Sequence, residues 1–121
     1  MAELKRSKWG PAAWTFLHTS AAAIENADAF TRLLRTLPAA LPCPECRQHA
    51  AEYLAANPPE QTIKDAESAS RYVFTFHNAV NLRLNKPPAG PEVLQVHYNV
   101  VLPELQRPNP LQRVLPYRRF Q

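Results

Sequence analysis

Both cysteines of this 121-residue chain lie in one short segment, Pro42-Cys43-Pro44-Glu45-Cys46. A pair at this spacing can act as a redox couple or as half of a metal site, and no third cysteine exists to draw either sulfur into a distant disulfide. If Cys43 caps a helix and Pro44 is its first residue, Cys46 lies in the first turn. Free N–H groups and the helix dipole favour a thiolate there, so the pattern predicts a lowered pKa for Cys46.

The spacing leaves three uses of the pair open: thioredoxin-like exchange, a zinc half-site, or a disulfide beside an electron acceptor. Exchange of the thioredoxin type is typical of a βαβ context, which the sequence does not offer. A zinc site could recruit His49 and His77, although Cys-x-x-Cys-x-x-His within one helix is not a usual ligand spacing.

Prolines divide the chain into the segments that can form helices. There are 13 of them, in clusters, and proline inside a helix costs about 3 kcal/mol. No alternating strand pattern is present, and two glycines are too few for a glycine-rich phosphate loop. The fold class is therefore all-α. The first expected helix begins at Gly10-Pro11, and the second runs from a cap near Asn26 or Asp28 to Leu37, before Pro38. The third runs from Cys43 or Pro44 to Asn57, the fourth from Ser68 to Lys86, and the fifth from Pro91 to Leu102. Beyond Pro103 we expect an irregular chain.

Several polar side chains fall on the apolar faces of these helices. His77 and Asn81 are one turn apart on the fourth helix, while His18 and His49 lie on the inward faces of the first and third. A buried polar group without a partner costs about 1–3 kcal/mol. Either these groups bond to each other and to backbone carbonyls, or they surround a polar, planar ligand.

Composition and charge limit the partners and the cellular location that we expect for the chain. The net charge of +4 comes from the two ends of the chain, and no aromatic platform or nucleic-acid motif accompanies it, so we expect solvated tails without specific nucleic-acid binding. No apolar run approaches the roughly 20 residues of a membrane span. The first residues lack the apolar core of a secretory signal, and an intracellular, cytoplasmic location is expected. We expect a basic segment over 1–8, one domain over 9–102, and a basic proline-rich tail over 103–121.

Three motifs in order resemble the Erv/ALR-type flavin-dependent sulfhydryl oxidases over about residues 9 to 102. They are Trp9-Gly10-Pro11-x-x-Trp14 followed by His18, then Cys43-Pro44-Glu45-Cys46 followed by His49 and Tyr53, then Phe76-His77-Asn78-x-Val80-Asn81-x-x-Leu84-Asn85-Lys86. The resemblance implies a four-helix bundle with a short fifth helix that binds FAD, as a homodimer. It also implies that Cys43 and Cys46 pass electrons from protein dithiols to the flavin and then to O2, giving hydrogen peroxide.

The same resemblance assigns roles to individual residues. Cys46 corresponds to the sulfur that faces the flavin in a charge-transfer contact, and Cys43 to the sulfur that exchanges with substrate. The positions that match flavin contacts are Gly10, Trp14, His18, Tyr53, His77, Asn78, Asn81, Asn85 and Lys86, with Tyr98 as a looser match on the fifth helix. For Trp14, packing in the core is the alternative.

The chain departs from cellular members of that family because it lacks a second, shuttle pair of cysteines. Substrate thiols must then reach Cys43 directly, or an intermediary redox protein must serve them. This resembles the minimal forms carried by large DNA viruses, which would place the protein in a host cytoplasm or a virion. The alternative from another class is a non-catalytic module that binds zinc or acts as a helical adaptor.

Overall fold

The computed structural model describes residues 5–103, which form five α-helices and no strand. The helices are α1 (Arg6–Ala22), α2 (Ala27–Ala40), α3 (Pro44–Ala56), α4 (Ala66–Arg83) and the short α5 (Glu92–Tyr98), with a 3-10 turn at Pro59–Gln61. The predicted all-α class, with four longer helices and a short fifth, is confirmed.

Short polar side chains and one cysteine start three of these helices. The Asn26 side chain accepts the Ala29 N–H at 3.0 Å at the start of α2. Asp65 forms a capping box with Ser68, which places the start of α4 two residues before the predicted Ser68. Cys43 caps α3, with Pro44 as the first helical residue, as predicted.

Two prolines lie inside helices that we expected them to start or stop. Pro11 lies within α1, which begins at Arg6 rather than at Gly10. Because proline has no N–H, the carbonyl of Ser7 lacks its helical hydrogen bond, but Ser7 is an exposed residue. Pro38 lies within α2, which continues to Ala40. Leu37 and Leu41 both pack against the core, and their burial offsets the hydrogen bond lost at Pro38.

Asparagines in the left-handed conformation end the last two helices. Asn85 has φ 58° just after α4, and the Lys86 N–H donates to the Asn81 carbonyl at 2.7 Å. Asparagine tolerates this conformation, so α4 ends at Arg83 and not at the predicted Lys86. Asn99, with φ 54°, likewise ends α5 well before the predicted Leu102.

The helices pack in two pairs around one core. α1 lies mainly against α4 and α2 against α3, while α5 contacts α1. Apolar side chains of α1 to α4 and of the loop between α3 and α4 form the core: Leu17, Ala21, Phe30, Leu34, Ala50, Leu54, Ile63, Ala69, Tyr72, Val73 and Phe76. A smaller cluster of Leu94, Val100 and Leu102 joins α5 and the segment after it to this bundle.

The predicted basic tail lies almost wholly outside the described residues, as do residues 1–4 of the basic N-terminal segment, whereas its residues 6–8 belong to α1. Within residues 5–103, no helix combines the length and the apolar character that a membrane span needs.

Candidate active site

The two thiols stand in different environments although they share one helix turn. Cys43 is the N-cap of α3, and its sulfur accepts the Cys46 backbone N–H at 3.2 Å. The Cys46 side chain donates to the same sulfur, and together with the backbone N–H groups and the charge of Arg6 this lowers the pKa of the Cys43 thiol. Burial, followed by its contact with Cys43, raises the pKa of Cys46. The prediction of a thiolate at Cys46 is wrong for the reduced pair, because Cys46 is desolvated and its thiol donates to Cys43, which also accepts from the N–H groups of the helix start.

Cys46 lines an open cleft between α1, α3 and α4, and the end of α2. Counted out to its solvent-facing mouth, and with the open solvent there included, the space in the cleft is about 710 Å³. Most of its walls are apolar: Ala13, Leu17, Leu37, Leu41, Ala50, Phe76, Val80 and Leu84. Cys43 is not among the lining residues, so one sulfur of the pair lies in the cleft and the other lies outside it.

Of the predicted flavin contacts, Gly10, Trp14 and Lys86 line this cleft together with Cys46. Open space surrounds the α-carbon of Gly10 where a side chain would project. Arg6 and Arg83 also line the cleft, so positive charges lie on it from the start of α1 and from the end of α4. A phosphate group could be held at this cationic edge.

Trp14 connects the cleft to a buried cluster of aromatic rings. Its indole stacks on His77, with ring centroids 3.9 Å apart and planes within 4°, and meets Phe76 edge-on. His77 Nδ1 and His18 Nε2 share a hydrogen bond of 3.0 Å, and Tyr98 stacks on His18. His18 and His77 are buried, as predicted, and they bond to each other. Desolvation lowers the pKa of His18 to about 4.

Asn81 and His49 hold buried polar atoms without hydrogen-bond partners among residues 5–103. Asn81 is buried as predicted; its Nδ2 donates to Asn78 at 3.4 Å, while its Oδ1 has no partner in that range. His49 is half-buried, and its Nδ1 likewise has no hydrogen-bond partner in that range. Such atoms are the ones that a polar ligand or a water molecule would satisfy.

Other predicted contacts have structural roles in this arrangement. The Asn78 side chain binds both the N–H and the carbonyl of Ala89, each at 3.0 Å, which fixes the segment that carries Lys86. Asn85 is exposed and terminates α4. Tyr53 stacks on Phe76 with centroids 4.5 Å apart, but it lines a second surface cleft beside Tyr72 and not the cleft of Cys46.

Sequence reasoning missed several residues that line the cleft. Trp9 belongs to the motif that assigned Gly10, but no role was given to it. Arg6 and Arg83 carried no signal of their own, since we expected Arg6 to precede the first helix. The end of α2 was missed because Pro38 was expected to stop that helix before Leu41.

The zinc alternative lacks a ligand set in the part of the chain that the structure describes. Residues 5–103 contain no group of three or more histidine, cysteine, aspartate or glutamate side chains placed to hold a metal ion. His77 faces His18 and Trp14 instead.

Comparisons with known proteins match this arrangement. Residues 11–99 match the profile described as the Erv1 / Alr family. An FAD-linked sulfhydryl oxidase of African swine fever virus (isolate Warthog/Namibia/Wart80/1980) is 37% identical over 64% of this chain and 69% of its own length. The chain spans 66% of a protein of Invertebrate iridescent virus 3, with 32% identity, and 46% of the FAD-linked sulfhydryl oxidase ERV1 of Oryza sativa, with 37% identity. The crystal structure of the yeast Erv1 core has the same fold, with a TM-score of 0.71 over 81% of this chain and 86% of that one, at 22% identity.

The buried histidine pair predicts acid sensitivity. In the folded protein His18 stays neutral down to about pH 4, whereas in the unfolded chain it takes up a proton near pH 6.5. Between these values the unfolded state binds more protons, so lowering the pH favours unfolding, by up to roughly 3 kcal/mol at the low end. Urea unfolding of the flavin-free protein should show this loss of stability, and His18→Gln should flatten it. An NMR titration that places the pKa of His18 near 6.5 in the folded protein would contradict the prediction.

Proposed function

The chain belongs to the Erv1 / Alr family, and on that basis we propose that Cys43 and Cys46 are the redox pair by which this FAD-linked sulfhydryl oxidase converts protein dithiols into disulfides. The observation that carries this proposal is the position of the pair. Cys46 lines the cleft, while Cys43 caps α3 outside the cleft lining, with a lowered pKa. One sulfur can then face a cofactor while the other meets substrate.

The residues of the cleft fit a flavin. Apolar walls and Trp14 suit the faces of a planar ring system, and Arg6, Arg83 and Lys86 supply positive charge for phosphates. On α4, the helix that forms one wall of the cleft, Asn81 keeps a buried oxygen without a partner among residues 5–103. We propose that Gly10, Trp14 and Lys86 contact FAD directly. His18, His77, Asn81 and Tyr98 would hold or support the bound cofactor, and Asn78, Asn85 and Tyr53 would shape the surrounding fold.

Electron transfer from substrate proceeds by two exchanges at sulfur. A substrate thiolate attacks Cys43 of the oxidised pair, the Cys43–Cys46 bond breaks, and Cys46 leaves as a thiolate. The second substrate thiolate then attacks the substrate sulfur of the mixed disulfide and releases Cys43. Substrate has lost two electrons and two protons, and the pair has gained two electrons.

The lowered pKa of Cys43 suits it to the second step, in which it is the leaving group. The charges of Arg6 and Arg83 act on Cys46 against the effect of burial, which helps it to leave in the first step. When bound, FAD would supply the two-electron acceptor for the reduced pair, with O2 as the final oxidant and hydrogen peroxide as its product.

We keep three further expectations as part of this proposal. The substrate is a protein dithiol or an intermediary redox protein, because the chain holds no second cysteine pair. A homodimer is proposed from the resemblance, and the exposed Phe16 on α1 and Leu82 on α4 are compatible with a covered apolar surface. Action in a host cytoplasm or a virion is supported by the viral relatives.

Purified protein tests the proposal directly. It should be yellow, and dithiothreitol should drive oxygen uptake that Cys46→Ser abolishes while the protein keeps its flavin. A colourless, folded protein without flavin would contradict the proposal. A non-catalytic adaptor would instead hold metal or nothing, and it would bind its partner equally well after both cysteines were replaced.

Trp14 and Phe16 offer a matched pair for the cofactor site. Both are aromatic residues of α1, but Trp14 lines the cleft whereas Phe16 is 58% exposed. Trp14→Ala should weaken FAD binding by about tenfold or more, which corresponds to roughly 1.4 kcal/mol of lost stacking, and Phe16→Ala should leave it unchanged. Fluorescence titration of flavin-free protein with FAD measures both constants. Equal constants for the two variants would remove Trp14 from the site.

A further inference from the structure

Three arginines surround the cysteine pair. Arg6 and Arg83 line the cleft that contains Cys46, and both are exposed. Arg47 follows Cys46 directly, and its Nε donates to the Leu41 carbonyl at 2.7 Å. That bond holds the guanidinium beside the loop that leads into Cys43. Three positive charges therefore lie near the surface that a substrate must approach.

Carboxylates do not neutralise these arginines within residues 5–103. The ion pairs of that range join Arg35 to Glu60 and Arg71 to Glu67, on other parts of the surface. Glu45, exposed between the two cysteines, is a single negative charge against three positive ones. A cationic surface of this kind attracts anionic partners and raises their rate of association.

The arginine charges extend to the sulfur atoms themselves. Arg6 contributes, after the hydrogen bonds from Cys46 and the backbone, to the lowered pKa of Cys43. Arg6 and Arg83 both oppose the burial that raises the pKa of Cys46. Their charges thus act at the place where a substrate sulfur must meet Cys43, so they also act on residues that flank that sulfur.

We propose that the preferred substrates of this site are dithiol segments flanked by acidic residues, which Arg6, Arg47 and Arg83 recruit to Cys43. The inference rests on the proposed function, since it concerns substrates of the same exchange reaction. Carboxylates on either side of the substrate cysteines would bind these guanidinium groups, which form no ion pair within residues 5–103, whereas lysines there would be repelled. The exchange steps and their electron balance are those given above.

The arginines have one competing role, in binding the phosphates of FAD. Arg47 separates the two roles best, because it is not among the residues that line the cleft. Lys86, which the sequence motif matches to a flavin contact, lies on the cleft and can serve the phosphates. Flavin content must therefore be measured in each arginine variant.

The test compares two synthetic dithiol peptides that differ only in their flanking residues, glutamate in one and lysine in the other. Oxygen uptake by the holoenzyme gives kcat/KM for each peptide. Each value is divided by that peptide's rate with a neutral small disulfide, because acidic neighbours raise the pKa of a thiol and slow its attack. The corrected ratio should favour the acidic peptide about tenfold or more at about 0.01 M salt and approach one at about 1 M.

Charge reversal assigns the preference to individual arginines. Arg47→Glu should lower the corrected ratio about fivefold or more while the flavin content stays unchanged, because Arg47 does not line the cleft. Arg32→Glu is the matched control, because Arg32 is an exposed arginine of α2 that does not line the cleft, and this variant should keep the wild-type ratio. A ratio of one or less at low salt, an equal effect of Arg32→Glu, or a lowered ratio in Arg47→Glu that merely follows loss of flavin would overturn the inference.

Dithiothreitol, which is neutral, separates the two levels of the account. If it drives oxygen uptake while the two peptides react equally, the inference fails and the proposed function stands. If neither it nor either peptide drives oxygen uptake, the proposed function fails and the inference fails with it.

Discussion

The hydrogen bonds that the Cys43 sulfur accepts from the Cys46 side chain and from the Cys46 backbone N–H set the asymmetry on which the proposed exchange chemistry depends. Because Cys43 occupies the N-cap of α3, its sulfur accepts hydrogen bonds from free N–H groups of the helix start, which stabilise a negative charge on it. Cys46, one turn further on, points into the cleft and loses solvent instead. Two residues of the same type thus acquire different environments through the geometry of one helix start.

The packing of α1 against α4 supplies the other half of the site. Trp14 stacks on His77, and the bond between His77 and His18 provides partners for two polar rings that would otherwise be costly to bury. For the two histidines this arrangement answers the question that the inward polar residues left open, whereas a ligand beside Asn81 stays a proposal. The histidines bond to each other, and the Asn81 oxygen has no partner among residues 5–103 and suits a ligand.

Much of this could be predicted from sequence because the deciding interactions are local. The start of α3 follows from Cys43 and Pro44 alone, and the inward faces follow from helical periodicity. The errors arose where tertiary packing outweighed a local rule: burial of Leu37 and Leu41 carries α2 past Pro38, which brings Leu41 to the cleft. The pKa order of the thiols was predicted wrongly, because the rule for helix starts does not include the burial of Cys46 or its contact with Cys43. The arginines around the pair come from three separate helices, so no motif could have brought them together.

The central claim is that electrons reach the flavin only through Cys43 and Cys46. Anaerobic titration of the holoprotein with dithiothreitol, followed by the flavin absorbance, tests it most directly. The pair and the flavin each accept two electrons, so complete bleaching should require about two equivalents of dithiol per chain. In a variant with both cysteines replaced by serine, the flavin should stay oxidised. Bleaching of that variant as readily as the wild type, or an end point at about one equivalent in the wild type, would contradict the account.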